Sequence, residues 1–496
     1  WLMDHQMNVR VADEFGMYFA RIPLKTSPHI VHGNALRLDW ETVVPKERLS
    51  DILGNPPFVG SKYQSDEQRA EIVALFGGIT GSGILDYVCG WYVRAADLMQ
   101  GTSITCAFVS TNSISQGEQV GVLWGALLRK GMKISFAHRT FQWSNEARGV
   151  AAVHCVIIGM VHGEPARRTI YEYDTLRGEP HAVTVRNINP YLVDAPDVVL
   201  PSRSSPLCNV PEIGIGNKPI DDGNYLFTTA ERDAFLRQEP GAAPYFRRWI
   251  GSDEFINRYE RWCLWLGEVA PDVLRSMPLV MARVEAVRMF RLASKSAPTQ
   301  KLANTPTRFH VENIPDAPYL LIPEVSSERR AFIPMGFIQP DTMSSNLVKI
   351  APHATLYHFG ILNSTMHMAW VRYTCGRLES RYRYSKDIVY NNYPWPRDSS
   401  DRQIKAIEEA AQSVLDAREQ FPQSSLADLY DPLTMPPELT KPHQALDRAV
   451  DAAYGKRTFT GDAERVAFLF ELYQQYTSLL PVPGKVARGK RGVRTA

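Results

Sequence analysis

With 496 residues, 44% of them apolar and 22% charged, the chain has the size of roughly two to four globular domains and an ordinary soluble composition. No apolar run reaches membrane-spanning length and the N-terminus lacks a signal-peptide pattern, which argues against a membrane protein or a secreted one. The net charge of +2 hides local stripes: residues 273–311 carry seven basic side chains against one acidic, residues 367–386 five against one, and residues 399–480 eight against thirteen. Basic stripes of this kind are the footprint of a phosphate-backbone binder, though a solvated helix face gives the same pattern. Six cysteines (Cys89, Cys106, Cys155, Cys208, Cys263, Cys375) have neither metal nor disulfide spacing, so the reading is no metal site and a reducing cytoplasm.

In chain order, residues 1–15 read as a helix and Ile30-Val31 as a short strand with Gly33-Asn34 at its carboxyl end, where α/β sheets bind small ligands. Trp1-Leu2-Met3-Asp4-His5 reads as the interior of a helix, which suggests a chain that begins inside a longer protein. Residues 49–54 read as a strand feeding Asn55-Pro56-Pro57-Phe58. Helices are expected over 66–75 and 85–99, a strand over 104–109, a helix over 117–130, and strands over 134–137 and 150–160. Phe141 and Trp143 fall in the loop between the last two strands. Strands alternating with helices predict a doubly wound parallel sheet.

Residues 161–205 read as an irregular polar linker. Beyond it the chain turns proline-rich, with short strands and with helices expected at 229–237, 253–265 and 354–374. Tyr319-Leu320-Leu321-Ile322-Pro323-Glu324-Val325 and Ala331-Phe332-Ile333-Pro334 read as two strands around Ser326-Ser327-Glu328-Arg329-Arg330. Ile404, Ile407, Ala411, Val414 and Leu415 lie at helical spacing within 402–418, and 444–454 and 462–479 repeat the pattern.

Asn55-Pro56-Pro57-Phe58 carries the chemistry. Two prolines in succession fix φ and lack N–H donors, so the loop is stiff. An enzyme that methylates the exocyclic amine of adenine must extrude the base and aim its lone pair at an electrophilic methyl. The Asn55 carboxamide oxygen and the Pro56 carbonyl can each accept one amine hydrogen, Pro57 stiffens the turn, and Phe58 can stack on the flipped ring. Only preorganised acceptors are needed, with no metal.

The flanks carry a resemblance. Ile30-Val31-His32-Gly33-Asn34-Ala35-Leu36-Arg37-Leu38-Asp39-Trp40 precedes the motif; Leu85-Asp86-Tyr87-Val88 and Trp91-Tyr92-Val93-Arg94-Ala95-Ala96 follow it. Next come Phe108-Val109-Ser110-Thr111-Asn112-Ser113-Ile114-Ser115-Gln116-Gly117-Glu118-Gln119 and Phe136-Ala137-His138-Arg139-Thr140-Phe141-Gln142-Trp143-Ser144-Asn145-Glu146-Ala147. In order and spacing these resemble the MmeI-like DNA adenine methyltransferases, the methylating part of single-chain restriction–modification enzymes, and the likeness runs over nearly the whole chain.

The resemblance implies S-adenosylmethionine as cofactor, double-stranded DNA as partner, and transfer to adenine N6. It implies that Asn34, where the family usually has an acid, and Asn55 touch the cofactor, and that Phe141 or Trp143 closes the pocket over the base. It implies a target-recognition domain, in which Glu328 and Arg330, read as alternating along one strand face, suit cytosine and guanine edges. The expected architecture is a class I methyltransferase sheet over 1–163, an α+β recognition domain over 164–398, a helical subdomain over 399–482, and a basic disordered tail over 483–496. The segment Tyr390-Asn391-Asn392-Tyr393-Pro394-Trp395-Pro396 is read as structural.

The glycine-rich turn and acidic strand end with which the family holds its cofactor have no counterpart in these 496 residues. The expectation is therefore an incomplete sheet, with the strand before Asn55 at an edge, and a chain that binds cofactor weakly when alone. A DNA-recognition module without activity is the alternative class; methylation of an RNA base or a protein glutamine also uses Asn-Pro-Pro-aromatic motifs.

Overall fold

The computed structural model describes residues 2–16, 28–143, 153–267, 269–455 and 458–478. The chain divides into two compact units, residues 1–51 and 52–496.

In the first unit helix α1 (Leu2–Phe15) forms as expected. Ile30-Val31 does not form a strand: Ile30 is 82% exposed, and neither residue pairs with a neighbour among the described residues. Two apolar residues without a ladder to join cannot hold an extended segment in place. Asn34 instead opens a tight turn. Its carboxamide oxygen accepts from Leu36 N–H at 2.9 Å, and its backbone carbonyl accepts from Arg37 and Leu38.

The second unit is built on six strands: β1 (Asp51–Gly54), β2 (Thr105–Thr111), β3 (Met132–Trp143), β4 (Val153–His162), β5 (Arg168–Tyr173) and β6 (Pro180–Val185). Their order in the sheet is β1-β2-β4-β3-β5-β6, with β1 at an edge, as expected. Helix α2 (Asp66–Leu75) starts at a Ser65–Gln68 capping box; α3 (Cys89–Met99) and α4 (Glu118–Arg129) follow. Leu123, Trp124 and Leu127 of α4 and Tyr92 and Met99 of α3 are buried, as is Phe108 of β2.

The strand–helix alternation places β2 and β3 in the same direction, as a doubly wound sheet requires. They are not adjacent, however, because β4 lies between them, antiparallel to both. Gly159 of β4 is needed there, since a Cβ would sit 2.1 Å from the Phe136 ring. Two further readings are corrected. Residues 168–185 are no linker, because β5 pairs parallel with β3 and β6 pairs antiparallel with β5. Phe141 and Trp143 belong to β3 itself, which runs on past two register shifts, rather than to a loop; the Trp143 side chain lies outside the described residues.

In the proline-rich region, strand Tyr319–Pro323 pairs antiparallel with Gly336–Ile338 and with Val348–Pro352, burying Tyr319, Leu321, Val348 and Ile350. A second sheet joins Leu226–Thr228, Arg261–Leu264, Phe246–Ile250 and Thr342–Ser344 over a core containing Phe227, Phe246, Cys263 and Val284. The helix Thr229–Gln238 forms where expected. The helix expected at 253–265 stops at Asn257, because Arg258 turns left-handed (φ 59°) into strand Arg261–Leu264. The one expected at 354–374 is two, Leu356–Leu362 and Thr365–Thr374, with Ser364 capping the second. Residues 331–334 form no strand; pairing begins at Gly336.

The helices Asp401–Glu419, Pro437–Ala453 and Asp462–Thr477 bury the stripe that the periodicity singled out, including Ile407, Ala411 and Val414. Gly360 lets Leu356–Leu362 approach closely, since a Cβ there would be 2.7 Å from Ile407. The tail expectation for 483–496 lies outside the described residues. Among the described residues no helix is long and apolar enough to cross a membrane, no cluster suits a metal ion, and all six cysteines are free.

Candidate active site

The loop Asn55-Pro56-Pro57-Phe58 leaves the end of β1 as irregular backbone. Gly54 sits against the Phe108 ring, where a Cβ would be 3.1 Å from the nearest ring carbon; the small residue lets the loop start directly over β2. Pro56 is buried, Phe58 half-buried, and Asn55 and Pro57 are exposed. Val59 N–H turns back onto the Pro57 carbonyl at 3.1 Å, and Tyr87 N–H donates to the Val59 carbonyl at 2.9 Å. The Asn55 carboxamide makes no hydrogen bond among the described residues, so its oxygen is left as an open acceptor on a stiff support.

A groove of about 1130 Å³ begins at Ser61 and Lys62, just beyond the loop. With them it is lined by Asp86, by Thr111 at the end of β2, and by Asn112 and Ser113. Glu324, Lys349, Arg377, Arg383 and Lys386 line it as well. Lys349 Nζ lies 2.7 Å from Glu324, and Arg383 Nε 3.3 Å from the other Glu324 oxygen, so one carboxylate holds two cations in place. None of these residues was assigned to the site from sequence, although Asp86, Thr111, Asn112 and Ser113 lie in motifs that carry the resemblance and Glu324 in an expected strand. The signal was there in one case, because Lys349 interrupts the apolar strand Val348–Pro352 and a lysine so placed needs a partner.

The other expected site residues are dispersed. Phe141 is stacked on Tyr173 (centroids 5.4 Å apart) and is an edge neighbour of His138, which itself stacks on Tyr171 at 4.2 Å and meets the Tyr173 hydroxyl at 2.8 Å. Burial lowers the His138 pKa, so the imidazole is neutral near pH 7. Gln142, next to Phe141, lines the groove. Glu328 and Arg330 do not share a strand face. They sit in a turn closed by Arg330 N–H onto the Ser327 carbonyl at 3.3 Å, because strand pairing stops at Ser326. Glu328 is exposed; Arg330 is half-buried, and burial pulls its pKa down against the opposing pull of Asp431. Asn34 belongs to the other compact unit.

Chemically, an open carboxamide oxygen on a stiff loop can orient an amine. The groove's fixed cations and fixed carboxylate can take a polyanion with hydrogen-bonding edges.

Three family models match in succession: the MmeI DNA-methyltransferase domain over residues 1–172, the MmeI target recognition domain over 194–397, and the MmeI C-terminal domain over 399–481. A curated relative, DNA methyltransferase A of Bacillus subtilis (strain 168), is 39% identical over 480 residues, which are 96% of this chain and 54% of the relative. A solved structure, the Type IIL restriction-modification enzyme MmeI in complex with DNA, is 53% identical with a TM-score of 0.87, over 97% of this chain and 64% of that one. The chain thus spans between half and two thirds of the length of these relatives.

Proposed function

The chain belongs to the MmeI family, whose methyltransferase, target-recognition and C-terminal domains it carries in order, and from that premise we propose that it transfers a methyl group to the N6 amine of an adenine flipped out of duplex DNA, at a specific site, as part of a restriction–modification system. One observation carries the reading: the Asn55 carboxamide oxygen is open, on a proline-stiffened loop whose exit, at Ser61 and Lys62, lines a groove that Glu324, Lys349 and Arg383 also line. Free, mostly buried cysteines agree with a reducing cytoplasm.

The mechanism follows from the loop. The Asn55 carboxamide oxygen and the Pro56 carbonyl accept the two amine hydrogens, which draws N6 out of conjugation and turns its lone pair toward the incoming methyl. Phe58, and Phe141 on its Tyr173 support, are the aromatic faces assigned to the extruded base. S-adenosylmethionine supplies the electrophilic methyl when bound. The exposed Asn55 at the end of β1 fits that group's reactive end, whereas the Asn34 carboxamide oxygen is already engaged by Leu36 N–H, so the assignment of Asn34 to the cofactor rests on the resemblance. Glu328 and Arg330, from their turn, are assigned to base edges, and the Glu324–Lys349–Arg383 set to the same DNA.

The test is incubation of the chain, supplied upstream with the cofactor-holding strands of its family, with duplex DNA and methyl-labelled S-adenosylmethionine, followed by nucleoside analysis. N6-methyladenine that depends on Asn55 supports the reading. Binding of duplex without transfer moves the chain to the class of recognition modules, and no duplex binding rejects both.

A further inference from the structure

We propose that Asp86 is a positioning residue for this reaction: its carboxylate ties the exit of the Asn55 loop to the end of β2 and so sets the direction in which Asn55 is presented. The proposal rests on the methyltransferase reading above.

Asp86 is only 8% exposed, yet it lines the groove. Its two oxygens face different elements. Oδ1 accepts from the backbone N–H of Ser61, just beyond Phe58, at 3.2 Å. Oδ2 accepts from the Thr111 hydroxyl at 3.2 Å and from the Ser113 hydroxyl. The backbone around it is held as firmly. Asp86 N–H donates to Gln119 Oε1 on α4 at 2.9 Å, the Leu85 carbonyl accepts from Gln64 Nε2 at 2.8 Å, and Tyr87 N–H holds the Val59 carbonyl. Residues 85–87 therefore grip the segment that leaves the motif on one side and the end of the central sheet on the other.

The loop needs such a grip. Its N-terminal side hangs from β1, an edge strand with one neighbour. Pro56 and Pro57 contribute no N–H of their own, so the loop cannot be secured by donating. Asp86 supplies acceptors from outside, to Ser61 N–H and to two hydroxyls at once. Only an ionised carboxylate accepts on both oxygens; an asparagine must present a donor on one side. Ser61 N–H cannot reverse its role, but the Thr111 and Ser113 hydroxyls can rotate to accept. Asp86→Asn therefore keeps the fold and loosens the clamp, whereas Asp86→Ala removes it.

The experiment compares the full chain with its Asp86→Asn and Asp86→Ala variants in single-turnover methyl transfer to duplex DNA, duplex affinity, thermal midpoint, and amide exchange over residues 55–64. The expected result is a transfer rate lowered on the order of tenfold to a hundredfold in Asp86→Ala and less in Asp86→Asn, with duplex affinity and thermal midpoint nearly unchanged and exchange at 59–64 faster. A rate within about twofold of the parent, or a loss matched by equal losses of affinity and midpoint, overturns the proposal. If the parent itself transfers no methyl group, the exchange measurement still decides the clamp: unchanged protection at 59–64 in both variants overturns it, faster exchange there supports it.

Discussion

Asn55-Pro56-Pro57-Phe58 and Asn391-Asn392-Tyr393-Pro394-Trp395-Pro396 draw on the same residue types, yet the first leaves its amide in the open and the second buries both of its own. Asn392 Nδ2 donates to the carbonyls of Pro201, Asp387 and Ile388, and its oxygen accepts from the Tyr473 hydroxyl. Asn391 Nδ2 donates to Arg203. Tyr390, Tyr393 and Trp395 pack around them, and the Tyr454 hydroxyl donates to that of Tyr393. Asparagine in the second segment is a fastener that joins residues 201–203 to the C-terminal helices. In the first it is exposed, with no hydrogen-bond partner among the described residues, and is the acceptor of the proposed reaction. Composition is shared, so the difference lies in what the surrounding chain brings to each amide.

Removing the amides is the sharpest way to separate the two roles. Asn55→Ala is expected to lower methyl transfer on the order of 10²–10³-fold while leaving duplex affinity and thermal midpoint close to the parent, checked by transfer assay, binding titration and melting. Asn392→Ala should do the reverse: three carbonyls lose their donor, and chemical denaturation should report a loss of about 3 kcal/mol. An Asn55 variant that melts early, or an Asn392 variant as stable as the parent, breaks the contrast.

The comparison extends to the turn that carries Glu328 and Arg330, assigned above to base edges. Glu328→Lys with Arg330→Asp should change which sequence is methylated more than how fast, at about 1–3 kcal/mol of discrimination per lost contact, read by sequencing the methylated sites. An unchanged methylation motif reduces them to surface charges. A further effect concerns the buried side. His367 and His443 are fully enclosed, against the hydroxyls of Tyr384 and Tyr430, and burial pushes both down to about 3. As pH falls below the ordinary histidine value of 6.5 the unfolded chain takes up protons that the folded one refuses. Their contribution is complete above that pH and is lost progressively as the pH falls toward 3. Replacing each with glutamine should flatten the acid limb of stability against pH, and an unaltered limb would show that other groups set it.

What could be read before the fold was known is local in origin. Helices α2 and α4 and the C-terminal helices Asp401–Glu419 and Asp462–Thr477 follow from side-chain period and caps within a few residues of each other, so their positions came out within a turn, whereas Pro437–Ala453 starts seven residues ahead of the expected 444. The stiffness of Asn55-Pro56-Pro57-Phe58 is likewise written in its own prolines. The pairing was not legible: β4 inserted between β2 and β3, β5 and β6 added where a linker was expected, Glu328 and Arg330 left in a turn. Nor was the clamp at Asp86, whose partners lie 25 and more residues away in sequence, or the Glu324 carboxylate that gathers Lys349 and Arg383 from 25 and 59 residues off. Amino-acid sequence by itself determined which segments could be rigid, helical or reactive, because those properties depend on covalent geometry and near neighbours. Only the tertiary structure decided which asparagine stays open and which is fastened, because an amide's partners are chosen by chain segments that meet only after folding.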